Sequence, residues 1–263
     1  MGIVNATPDS FYAASRAQFE GAVSRGRAMA EEGADLLDVG GESTRPGSDP
    51  VSAEEESARV LPVVEALSAR AGVPVSLDTA KFEVALRGLS AGASVLNDVQ
   101  ALRGSPDMPA LAARYPLVVL MHMLGTSPRT MQANPVYGDV VAEVTTFLAQ
   151  RLAALRAAGA APDRAWVDPG LGFGKTVAHN LALLGGLEAL GGLAPVLVGA
   201  SRKSFIGKLL GSEASPLPPE ERLEGSLAAA CRAAGAGAVC VRVHDVRATV
   251  RALEVWKSCG GAR

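Results

Sequence analysis

The chain has 263 residues, 48% hydrophobic and 20% charged, with a formal net charge of −2. Nothing in so weak a charge suggests nucleic acid or a membrane surface as partner. The length fits one (β/α) barrel of about 250 residues or two small domains.

Short β-branched runs alternate with alanine- and leucine-rich amphipathic stretches along the whole chain, the pattern of repeated βα units around a parallel sheet. In chain order the expected strands are Gly2 to Asn5, Leu36 to Val39, Pro74 to Asp78 and Ser94 to Asp98. Leu117 to His122, Ala165 to Asp168, Val196 to Ala200 and Val239 to His244 follow. The "MGIVN" start lacks the basic and apolar regions of a secretory signal, so a cytoplasmic location is expected. Between strands, Ser52 three residues before Glu55 reads as a capping box opening a helix, and Val140 to Ala158 reads as another helix. The apolar run Leu117 to Leu124 falls far short of the roughly 20 residues that span a bilayer. "SPLPPEE", Ser215 to Glu221, reads as a link between two helices after the seventh strand. Cys231, Cys240 and Cys259 show no short paired spacing and read as reduced, structural thiols.

No linker or composition shift divides the chain, so one domain is expected over residues 1–263: an α/β fold, a (β/α)8 TIM barrel. Such a barrel places its active site at the C-terminal ends of the strands. Polar residues do gather there: Asn5, Asp38, Asp78, Asn97 with Asp98, His122, Asp168, Ser201 to Lys203, and Arg242 with His244. Any one of them alone reads more readily as a cap or turn residue than as a functional one, and it is the eight together that point to a site.

In the last strand the period of two puts Val239, Val241 and Val243 on the helix side and Cys240, Arg242 and His244 towards the barrel axis. An inward arginine needs a bound anion or a buried carboxylate of a neighbouring strand, and the strand's place at the barrel mouth favours the anion. Ser201, Arg202 and Lys203 lie between a strand and a helix, where cations and backbone N–H groups can face a polar or anionic ligand. A Schiff-base role for Lys203 is conceivable, but two adjacent basic residues favour charge neutralisation. "GLGFGK" has the wrong glycine spacing for a phosphate loop. Asp78, Asn97, Asp168 and Lys203 supply the acceptors and donors needed to read a flat nitrogen heterocycle edge-on. His122 could line the same cavity, and Met123 could stack on a ring or simply fill core. The three histidines lack metal-ligand spacing.

These residues fall in motifs that resemble, in order and over nearly the whole chain, those of the dihydropteroate synthase family: "NATPDSF", "DVGGESTRPG", "LDT", "LND", "MHM", "DPGLGFGK", "SRKS" and "RVHDV". The resemblance implies condensation of a dihydropterin-methyl diphosphate with 4-aminobenzoate, with release of pyrophosphate and help from Mg²⁺. It implies that Asp78, Asn97, Asp168, Lys203 and Met123 bind the pterin, and that Asn5, Arg45, Arg242 and His244 hold the diphosphate. By the same resemblance Asn5 is a Mg²⁺ ligand, while Thr44, Pro46, Phe173, Lys203 and Ser204 form the aminobenzoate pocket. Arg45, Lys203, Arg242 and His244 are then the catalytic groups, and the protein is a homodimer. Cleavage of the C–O bond before amine attack would spread positive charge into the pterin and require no unusual base.

Two features depart from the family pattern. After "NATPDSF" the chain reads Tyr12 to Ser15 where Ser-Asp-Gly-Gly is usual, and it starts at the first barrel strand without a preceding β segment. A non-catalytic pterin-binding paralogue and a methyl-tetrahydrofolate methyltransferase are the alternatives. The second fits poorly, because a methyl donor has no diphosphate for "SRKS" and "RVHDV" to hold.

Overall fold

A computed structural model describes residues 1–6, 15–42, 49–125, 130–132 and 134–261, the side chains of 15–18 excepted. Eight strands are found among these residues: β1 (Gly2–Asn5), β2 (Leu37–Gly40), β3 (Val75–Asp78), β4 (Val95–Asp98), β5 (Leu117–Met121), β6 (Ala165–Asp168), β7 (Leu197–Val198) and β8 (Cys240–Val241). The first six form one parallel sheet in sequence order, and β7 pairs in parallel with β8. Single parallel bridges, Val167 with Val196 and Gly2 with Val243, join the two sheets at both edges and close the barrel. Backbone bonds from Val167 N to Pro195 O, Ile3 N to Val243 O and Val243 N to Met1 O, each 2.9 Å, make these seams.

The helices are α1 (Ser15–Glu31), α2 (Ala53–Arg70), α3 (Phe82–Ser90), α4 (Met108–Ala112), α5 (Val140–Ala157), α6 (Val177–Gly185), α7 (Leu187–Gly191), α8 (Ser204–Leu210), α9 (Leu223–Gly235) and α10 (Val246–Trp256). In α2, Val60, Val63, Val64 and Leu67 recur at helical spacing and are buried, while Glu54, Glu55 and Glu56 occupy the first turn, where the helix dipole favours anions. Ser52 caps Glu55 N as expected, but the Glu55 carboxylate turns to Arg59. The reciprocal box forms instead at Thr176 and His179, opening α6. Asp139 caps α5, and the link after α8 contains one 3₁₀ turn, Pro219–Glu221. No described helix is long and apolar enough to cross a membrane.

The core lies in two places. Outward strand residues such as Leu37, Leu77, Leu96, Leu120 and Val167 pack under the helices. Inside the barrel, Met1, Leu36, Val95, Val119 and Leu197, with Trp166 and Cys240 against them, plug the floor. That plug makes the barrel a packed core rather than a pore, so a ligand has room only above it, at the C-terminal mouth.

Two expectations need correction. The last two strands are two residues each rather than five and six, because single bridges replace the ladder at the seams. Val239 is 56% exposed rather than packed under a helix, since regular pairing begins only at Cys240.

Candidate active site

Each strand delivers its last inward residue to the mouth, and the bonds run between strands that are not neighbours in the sheet. Asp38, fully buried on β2, accepts with Oδ2 from Asn97 Nδ2 on β4 at 3.1 Å and from Arg242 Nε at 2.5 Å. Arg242 Nη2 donates to Asp78 Oδ2 at the end of β3, 2.8 Å away. The arginine expected to meet an anion is therefore held by two carboxylates, the alternative that the last strand also allowed. Closure of β8 onto β1 brings it over the ends of β2 and β3, where a buried guanidinium without partners would be unstable. Burial pushes the Asp78 carboxyl up to about 7, with Arg242 opposing and Asp38 adding to the rise. Arg242 loses by burial and gains more from Asp38 and Asp78, so it stays charged.

Across the mouth Asp168, 4% exposed, ends β6 and accepts the Gly170 N–H at 2.7 Å. Burial raises its carboxyl above the usual range, opposed by Lys203. Lys203 stands at the residue before α8; its ammonium donates to the Leu171 carbonyl and lies 4.5 Å from the centroid of the Phe173 ring. Burial draws that ammonium down to about 8, opposed by Asp168. Gly199 lies between the two sides, where a Cβ would come within 3.9 Å of Asp168 Oδ2 and 3.8 Å of Arg242 Cβ. Met123, with Met121, Met131 and Val99, forms an apolar cluster to which Phe173 is packed. Acid, amide and ammonium thus face a wall of thioethers and one aromatic ring, suited to a flat ligand with polar edges.

The remaining expected residues are more dispersed. Asn5 is exposed at the end of β1, and Ser204 is exposed at the start of α8. His244 Nδ1 lies 3.1 Å from Ser201 Oγ, which also accepts the His244 N–H, so the ends of β7 and β8 are tied together. Thr44, Arg45 and Pro46, and the Tyr12 to Ser15 segment up to residue 14, lie outside the described residues. Arg202 does not face the mouth: with φ of 56° it forks onto Asp245 at 2.8 and 2.5 Å. His122 does not line the cavity either. It follows the inward Met121 and so points behind the sheet, edge-on to Phe147 at 4.9 Å.

Behind the sheet stands a group that the motif comparison with phosphate loops passed over. Lys175, 4% exposed, donates to His122 Nδ1 at 2.9 Å and to the Gly170 and Phe173 carbonyls at 3.0 Å each. All three ammonium protons are used, and the loop after β6 is wrapped around one side chain. Burial lowers Lys175 to about 7, and burial with the Lys175 charge lowers His122 to about 3. A second ion group, Lys81 between Glu42 and Glu56, braces the turn after β3 against α2. Its only sequence signal was a lysine three residues beyond Asp78.

Among the described residues no group of three or more His, Cys, Asp or Glu is placed to hold a metal ion. Those residues thus form no cage for a transition metal, while Asn5 has the hard amide oxygen that Mg²⁺ accepts when most of its ligands are water and phosphate. The donor set fits that ion only in company with a phosphorylated ligand.

A closed parallel barrel with buried polar groups at its C-terminal mouth and an apolar wall beside them defines an enzyme that handles a small planar ligand. Residues 1–244 match the family described as "Pterin binding enzyme". The dihydropteroate synthase of Escherichia coli K12 is 46% identical, with 97% of this chain and 89% of that protein covered, and that of Bacillus subtilis 168 is 40% identical, with 95% and 85% covered. The Xanthomonas albilineans dihydropteroate synthase solved with 4-aminobenzoic acid superposes with a TM-score of 0.90 at 50% identity, covering 100% of this chain and 93% of that one. The same enzyme with 7,8-dihydropteroate gives 0.87 at 47% identity, with 100% and 94% covered. The chain belongs to the dihydropteroate synthase family of pterin-binding enzymes.

Proposed function

We propose that the chain is a transferase that condenses (7,8-dihydropterin-6-yl)methyl diphosphate with 4-aminobenzoate, giving 7,8-dihydropteroate and pyrophosphate for folate biosynthesis. The observation that carries this reading is the gathering, at one mouth, of Asp168, Asn97 and Lys203 with the doubly held Arg242. The first set suits the donor and acceptor edge of a pterin, with Met123 against its face; the second suits a diphosphate.

Asp168 accepts from the ring N–H and exocyclic amine, a task for which its burial beside Lys203 strengthens each bond. Arg242 meets the diphosphate already oriented, because Asp38 and Asp78 fix its plane and, among the described residues, its Nη1 makes no bond. His244 and Arg45 complete the anion site, while Phe173, Lys203, Ser204, Thr44 and Pro46 enclose the aminobenzoate. Asn5 would hold Mg²⁺, which when bound supplies charge neutralisation on the diphosphate. The leaving group is thus stabilised at one side of the mouth as the cation at the methylene is spread into a ring held at the other, and the neutral arylamine needs no strong base. Residues 1–263 act as one barrel domain, in the cytoplasm.

An exposed apolar groove between α6, α8 and α9, lined by Leu181, Leu209, Leu210 and Gly225, supports a homodimer built on that face. The deciding experiment is pyrophosphate release from the purified chain with the dihydropterin diphosphate and Mg²⁺, with and without 4-aminobenzoate. Aminobenzoate-dependent release with dihydropteroate as product is expected. Tight pterin binding without turnover would leave only a binding paralogue.

A further inference from the structure

One buried group at the mouth meets neither substrate in the chemistry above, yet it touches two groups that do. Asp38 is 0% exposed, and a single oxygen, Oδ2, accepts from the Asn97 amide and from the Arg242 guanidinium. We infer that Asp38 is a positioning residue that selects which edge of Asn97 faces the pterin and, through the same oxygen, locks the plane of the diphosphate-binding Arg242.

The argument is stereochemical. A carboxylate has no proton to give, so the side of Asn97 turned to it must be the NH₂. The carbonyl oxygen of Asn97, which can only accept, is then turned to a ligand beside the one Nδ2 proton that Asp38 does not take. A heterocycle presenting a ring N–H to that oxygen is matched, and one presenting a lone pair to it is penalised, because two acceptors would face each other in a buried site. Without Asp38 the amide could turn over at little cost and read either edge. The guanidinium is fixed by the same atom: Nε goes to Asp38 and Nη2 to Asp78, so rotation about its last bond breaks at least one of two charge-assisted bonds. The other Asp38 oxygen and the hydroxyl of its cross-strand partner Ser76 are buried without a hydrogen-bond partner among the described residues. Asp38 is therefore held by its two functional partners and by little else, the arrangement expected of a coupling group rather than of a core salt bridge.

The inference rests on the reading of the mouth as a pterin site. It is tested with the full-length chain and two probes: the dihydropterin alcohol, which lacks the diphosphate, and inorganic pyrophosphate. Asp38→Asn is expected to weaken both by about tenfold or more while the KM for 4-aminobenzoate stays within about twofold. Asn97→Ala should weaken the alcohol by about tenfold in the parent chain but by less than about twofold in the Asp38→Asn background. A folded Asp38→Asn with parental affinity for both probes, or additive losses in the double variant, would overturn the inference. Should the variant not fold, asparagine-selective ¹⁵N labelling of the unaltered chain decides the matter. Protected Nδ2 protons on Asn97, unchanged by the alcohol, support the orientation, and rapidly exchanging ones refute it. The ligand-free amide measurement stands even if the unaltered chain binds no dihydropterin, an outcome that would strike the functional reading alone.

Discussion

Lys203 carries the charge balance of the site on one side chain, donating to Leu171 O, lying over Phe173 and facing Asp168. Its ammonium is lowered by burial to about 8, so the charged form is complete at pH 6 and is lost as pH rises through about 8. The kcat/KM for the pterin substrate should accordingly fall on an alkaline limb near pH 8, and Lys203→Met should remove that limb along with about 100-fold of kcat/KM. Stability runs in the opposite sense: an unfolded chain keeps this proton up to 10.5, so the Lys203 contribution to folding becomes less unfavourable between about pH 8 and 10.5. Asp78 is the mirror case. Its folded pKa of about 7 exceeds the unfolded 3.8, so the folded form binds the extra proton and this contribution to stability falls as pH rises from about 4 to about 7. Chemical denaturation as a function of pH, comparing parent with Asp78→Asn, reads that slope directly. At this scale the sequence was informative about identity and poor about partners. Arg242 was legible as inward and charged, but whether carboxylates or an anion meet it depends on how far β8 leans over β2 and β3.

The loop after β6 shows how an element can be set by one residue. Gly170 has a φ of 65° and its backbone lies against the end of β5, so that an added Cβ would fall 1.8 Å from His122 O. Gly170→Ala should therefore cost more than about 3 kcal/mol or prevent folding, as read by thermal unfolding. Lys175→Met keeps the bulk but strips donors from Gly170 O, Phe173 O and His122 Nδ1. A loss of about 2–4 kcal/mol is expected, with a raised KM for 4-aminobenzoate because Phe173 is no longer pinned. A similar device follows β4, where the Asp98 carboxylate accepts from Gln100 N at 2.7 Å and Leu102 N at 2.8 Å and holds Ala101 and Leu102 at φ of 50° and 66°. Asp98→Ala should destabilise the chain by about 2–3 kcal/mol in denaturant unfolding, leaving left-handed residues without their tether. "GFGK" announced glycines and a cation, but not that the cation faces inward behind the sheet, since a loop has no period from which to read a direction.

For the whole molecule, the barrel is closed by two single bridges rather than by long ladders at both seams, and the floor plug supplies the apolar contact that those seams lack. The site depends on that closure, because Arg242 reaches Asp38 and Asp78 only when β8 meets β1. The groove between α6, α8 and α9 exposes Leu209 at 53% and Leu210 at 51%. If a second copy covers it, replacing both leucines by glutamate should convert the dimer to a monomer by light scattering, with the pterin site intact.

By itself the sequence determined the eight βα units, the ends of β1 and β6 to the residue, and the presence of polar residues at the strand ends, though not which of them face the mouth. These follow from local chemistry: the period of two, the breakers after each strand and the apolar content of the helices act over a few residues. Only the tertiary structure decided that Asp38 joins Asn97 to Arg242, that His122 turns away from the cavity to meet Lys175, that Arg202 leaves the mouth for Asp245, and that the helix box forms at Thr176 rather than Ser52. Each of these is a choice among hydrogen-bond partners. Apart from the helix box, those partners lie more than forty residues apart in the chain, and barrel closure and the burial of charge made the selection.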